Sequence, residues 1–80
     1  MKPEKETIMD NFTIRPYTKK ELALMYFPDS RPRTAVNHLM AWIRRCTQLW
    51  RQLHEFGYQP TNKVFTPREV RAIIQQLGEP

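Results

Sequence analysis

The sequence predicts a mainly α-helical domain: four helices, a helix-turn-helix core and a small β-wing. Three observations carry that prediction. Two Thr-x-x-Glu capping boxes, Thr18–Glu21 and Thr66–Glu69, each precede apolar residues at helical spacing. Residues 32–45 repeat apolar side chains at i, i+3, i+4 and i+7. One stretch of the second half, "YQPTNKVF", is turn-rich and then β-prone, which suits a small hairpin or an extended wing.

The elements follow in order. Residues 1–11 are polar and mixed in charge, and they read as a disordered tail ahead of a single helix-turn-helix-like domain over 12–80. "FTIRPY" alternates apolar and polar residues and ends beside Pro16, which suits a short edge strand or an extended lead-in. Thr18 opens the first helix with a cap that contributes typically ~1 kcal/mol. Leu22, Ala23, Met25 and Tyr26 give it an apolar face, and Pro28 ends it.

"PDSRP" is the connection. Asp29 or Ser30 is expected to cap the second helix, with Pro32 in its first turn. That helix runs to about Arg45 and buries Ala35, Val36, Leu39, Met40 and Ile43, with Trp42 at the border. Near Cys46-Thr47 the chain either breaks, with Thr47 as a cap, or continues as one helix. Leu49, Trp50, Leu53 and Phe56 form the next stripe, and Gly57 stops it. In "TPRE" the cap, a first-position proline and the box glutamate coincide, so a helix starts at Pro67. Val70, Ile73, Ile74 and Leu77 are its buried stripe, and Gly78 ends it.

Charge narrows the class of partner. The chain carries 13 Lys and Arg against 8 Asp and Glu, a net +5. The first 11 residues sum to −1, so the rest carries +6. From Ser30 to His54 there is no acidic residue, while Arg31, Arg33, Arg44, Arg45 and Arg51 all fall there. Such a block is an electrostatic footprint for a polyanion. A solvated basic surface without a partner is the plain alternative.

Placed on the second helix of a helix-turn-helix, Arg31, Arg33, Thr34, Asn37 and His38 are base-edge candidates. Arg pairs with guanine, Asn with adenine, and Thr with either. Arg44, Arg45, Arg51, Lys63 and Arg68 are the phosphate candidates. The expected function is therefore a small DNA-binding transcriptional or recombination accessory factor, with a homodimer on a palindromic site as a further expectation. The rival is a protein-interaction module whose arginines meet an acidic partner and whose Trp or Tyr supply anchors.

Other chemistry finds little support. His38, Cys46 and His54 are spaced eight apart, unlike the close pairs of a zinc site, so no metal is expected. Core packing is the expected role of Trp42 and Trp50, and burial that of Cys46. No nucleophile–base pair and no glycine-rich loop stands out, so neither an enzyme, nor a cofactor, nor a small-molecule ligand is expected. The lone cysteine, the missing signal segment and the absence of a long apolar run point to a soluble cytoplasmic protein off the membrane.

Two resemblances add to this. "GYQPTNKVFTPREVRAII" is similar in layout to excisionase-like and mercury-regulator-like winged helices. That likeness implies a wing over the phosphate backbone or minor groove, with Lys63, Arg68 and Arg71 as its positive groups. The helix around 48–56 departs from their pattern. A broader resemblance covers Phe12 to Pro80. "RPYTKKELALMYFPDSRPRTAVNHLMAWI", the Cys-Thr-x-Leu-Trp run, "GY" at 57–58 and "FTPREV…LGEP" together look like a family of small bacterial proteins of unknown function, typical of anaerobic gut bacteria. That resemblance implies a small, stand-alone bacterial protein, and neither a reaction nor a ligand.

Overall fold

The computed structural model describes residues 7–9 and 12–80. Its elements run β1 (Thr7–Met9), β2 (Phe12–Ile14), β3 (Tyr17–Thr18), α1 (Lys19–Tyr26), α2 (Pro32–Arg45), α3 (Thr47–Glu55), β4 (Val64–Phe65) and α4 (Pro67–Leu77). The fold is mainly helical with four helices, as the sequence predicts. Most of the expected tail lies outside the described residues, but Thr7–Met9 within it pair antiparallel with Phe12–Ile14.

Both capping boxes form. The Thr18 hydroxyl accepts from Glu21 N at 3.0 Å, and Thr18 N donates back to the Glu21 carboxylate at 2.9 Å. Thr66 and Glu69 repeat the pattern at 3.3 and 2.9 Å, with Pro67 opening α4. The α2 start differs from expectation. Its N-cap is Arg31, not Asp29 or Ser30, and no side chain caps it. Proline in the first helical position fixes the reason: the residue just before Pro32 must be the cap, and that residue is an arginine.

Cys46, in extended conformation, separates α2 from α3, so the two are distinct helices; Thr47 starts α3 rather than capping it. α3 ends in a Schellman motif. Tyr58 N donates to Leu53 O and Gly57 N to His54 O, both at 3.0 Å, with Gly57 at φ +90°.

The "YQPTNKVF" segment does not fold back on itself as a hairpin. Its strand, β4, pairs antiparallel with β3, with Tyr17 opposite Phe65 and Thr18 opposite Val64. Lys19 N extends the ladder to Lys63 O at 2.9 Å. The result is still a small antiparallel strand pair, but one that joins the start of α1 to the approach to α4.

The core draws on every helix. Leu22, Ala23, Ala35, Leu39, Ile43, Leu49, Leu53, Phe65, Val70 and Ile73 are fully enclosed, and Phe12, Ile14, Tyr17 and Tyr58 close over them. Full burial of one Leu, Ile or Phe side chain contributes roughly 1.5–3 kcal/mol. Tyr58 stacks on Phe65 at 5.8 Å, which seats β4 against the end of α3. Within the described residues, no helix is long and apolar enough to cross a membrane. They also contain no group of three His, Cys, Asp or Glu side chains placed to hold a metal ion.

Candidate nucleic-acid interface

The buried side of α2 fixes where its other side points. Ala35, Leu39 and Ile43 are fully enclosed and Met40 nearly so. Arg33, Thr34, Asn37, His38, Arg44 and Arg45 are all exposed, and so is Arg31 at the cap. With each residue advancing about 100°, Arg33, Arg44 and Asn37 fall within roughly 40° of one another. Thr34, Arg45 and His38 follow within about a further 100°. The predicted arc is therefore continuous and turned outward. Among the described residues, no carboxylate pairs with Arg31, Arg33, Arg44 or Arg45.

One flank of this arc is a lysine groove. Thr18, Lys19, Lys20, Val36 and Lys63 line an open depression of about 440 Å³ between the α1 start and α2. The β3–β4 pairing holds it in shape, because Lys19 and Lys63 are joined through their backbones. The Lys19 ammonium donates to Pro60 O at 2.8 Å and lies 5.0 Å from the centre of the Tyr58 ring. Partial burial lowers its pKa, Glu69 opposes that shift, and the nearby Arg44 lowers it further. Val36 of α2 is itself part of the groove wall, so the groove borders the arginine arc.

The remaining candidates separate from it. Arg51 is exposed, but on α3. The Arg68 guanidinium sits 4.5 Å from the centre of the Phe56 ring, at the junction of α3 and α4. His38 belongs to the arc's other flank, where its ring meets Phe27 edge-on at 5.3 Å. Lys63 joins the region, and Lys19 and Lys20 were not among the expected residues. In the sequence those two lysines read only as the interior of a capping box. What brings them beside Lys63 is the pairing of residues 17–18 with 64–65, a long-range contact with no local signal.

One aromatic expectation holds and one changes. Trp50 is partly buried and packs against His54 and Tyr58, but Trp42 remains 40% exposed. Cys46 is half-buried, its thiol 3.7 Å from the Gln76 side-chain oxygen.

The fold and this surface define a small four-helix domain with a cation-rich helix face. The chain belongs to the family described as Domain of unknown function (DUF4248), whose model matches residues 13–80. No curated protein and no solved structure matches it.

Proposed function

We propose that this domain binds duplex DNA, with α2 lying along the major groove. The observation that carries the reading is the outward arc of Arg33, Asn37, Arg44, Thr34, Arg45 and His38 on a helix whose opposite side is fully enclosed. Three further features support it. The α2 N-terminus lacks a side-chain cap and carries no acidic residue in its first turn, which leaves it open to a phosphate. The groove of Lys19, Lys20 and Lys63 borders the arc where an adjacent strand's backbone would run. α1 and α2, joined by a short turn, have the order of a helix-turn-helix.

In this reading Arg33, Thr34 and Asn37 face base edges from the first turns of α2, with His38 beside them and Arg31 at the cap. Arg44, Arg45, Lys19, Lys20 and Lys63 hold phosphates, and Arg51 and Arg68 add charge farther out. The β3–β4 pair occupies the place of a wing. Two copies on a palindromic site would double the contact, as small readers of this kind require. The cellular role that follows is a cytoplasmic accessory factor in transcription or recombination.

The test is a titration with random and genomic duplexes at several salt concentrations. Each phosphate contact contributes about −0.9 to the slope of log affinity against log salt. Lys20→Ala and Lys63→Ala should each make that slope shallower by about one. The Arg33→Ala/Asn37→Ala pair should weaken preferred sequences more than random ones. Binding that ignores salt, or no binding to any duplex, ends the proposal.

A further inference from the structure

The flank of α2 opposite the lysines carries an aromatic surface that shares His38 and Arg45 with the DNA reading but whose Tyr26, Phe27 and Trp42 that reading leaves unused. Phe27, at the end of α1, is its hub. Its ring lies 4.8 Å from Trp42, 5.3 Å from His38 and 6.4 Å from Tyr26, and the first two contacts are edge-to-face. Tyr26 meets Trp42 edge-on at 6.1 Å. Together with Ala41 and Arg45, Phe27, His38 and Trp42 line an open recess of about 190 Å³. Trp42 is 40% exposed at its wall, and Met25, one residue before Tyr26, is 42% exposed.

We propose that this recess docks an acidic segment of a partner protein through one aromatic or leucine anchor. The volume fits: an engineered apolar cavity of roughly 150 Å³ accepts a benzene ring. The lining fits as well, because Trp, Tyr and Arg are the residue types that dominate binding hot spots. The walls are fixed in advance, which lowers the entropic penalty of docking. Phe27 N is bonded to Ala23 O at 2.8 Å, and the Tyr26 hydroxyl donates to Gly78 O.

Charge selects the occupant. Arg45 stands in the lining, Arg44 is its chain neighbour, and no acidic residue lies between Ser30 and His54. Glu79 acts on the Tyr26 hydroxyl and Asp29 follows Phe27 in the turn, so the cationic side of the recess is its Arg45 wall. A second copy docked two-fold here would bring like-charged patches together, which is unfavourable. An acidic segment meets complementary charge at the same place.

The experiment is selection from a displayed library of short random peptides on the full chain, followed by binding measurements with the selected peptides. Enriched peptides should be net negative with a single Phe, Trp or Leu. Trp42→Ala should weaken them at least about tenfold, and so should Arg45→Glu, a surface change that leaves the fold unchallenged. Replacing the peptide's anchor by Ser should do the same. Trp42→Ala should leave duplex binding at its wild-type level, so this proposal and the DNA reading fail separately. Neutral or basic winners, no enrichment, or binding that survives both variants would overturn the proposal. So would a self-associated chain in sedimentation that Trp42→Ala returns to monomer.

Discussion

Two helices of this domain begin with nearly the same three residues and are finished differently. α4 starts Thr66-Pro67-Arg68, and Glu69 closes a capping box over its first turn. α2 starts Arg31-Pro32-Arg33, with no side-chain cap and no acid. The proline places both boundaries, but of the two only α4 caps its first turn with its own side chains. α4 also buries Glu69, Val70, Ala72, Ile73 and Ile74, whereas α2 keeps half its circumference in solvent. One helix start is completed from within the chain. The other leaves its first amides without a side-chain cap beside exposed arginines, a difference that supports the reading carried by the outward α2 arc.

The comparison can be broken from either side. The largest effect belongs to the enclosed helix: Ile73→Ala should destabilise the domain by about 2–5 kcal/mol, read from the urea midpoint. Removing the α4 cap with Thr66→Ala should lower stability by about 1 kcal/mol and leave duplex binding unchanged. Giving α2 the cap it lacks, through Arg31→Ser, should raise stability by about 0.5–1 kcal/mol and weaken duplex binding. A duplex affinity that is unchanged by this variant would remove the α2 start from the proposed interface.

A last effect is silent near neutral pH and appears only in alkali. Burial, with Glu69 adding to it and Arg44 opposing it, pushes Tyr58 up to about 12. Burial, aided by Glu79, also holds Tyr26 well above the ordinary tyrosine range. Both hydroxyls stay protonated in the folded chain after the unfolded chain has begun to ionise near pH 10. The stability they contribute is full below pH 10 and declines as pH rises toward 12. A denaturation series across that range checks the sign, and Tyr58→Phe should flatten it.

What the sequence disclosed was local. The capping boxes at Thr18 and Thr66, the α2 periodicity and the Gly57 stop each involve residues within a turn of one another, and all are present. The Arg31 cap is legible too, because Pro32 in the first helical position sets the boundary whatever the better capping chemistry of Asp29 and Ser30. Partnership between distant segments was not legible. β4 pairs with Tyr17–Thr18 rather than within its own loop, and that contact creates the lysine groove. The exposure of Trp42 depends on where Phe27 settles after the turn, which helical spacing does not specify.

The β3–β4 contact also bears on how the molecule comes into being. It joins Thr18 to Val64, so its loop spans most of the domain, and closure on that scale slows folding relative to contacts made within or between neighbouring helices. α1 and α2 meet across a short turn, whereas β4 must reach Thr18 from the far end of the fold. The helix pair is the near contact and the strand pair the far one, and the domain takes its final shape only when β4 closes on Thr18.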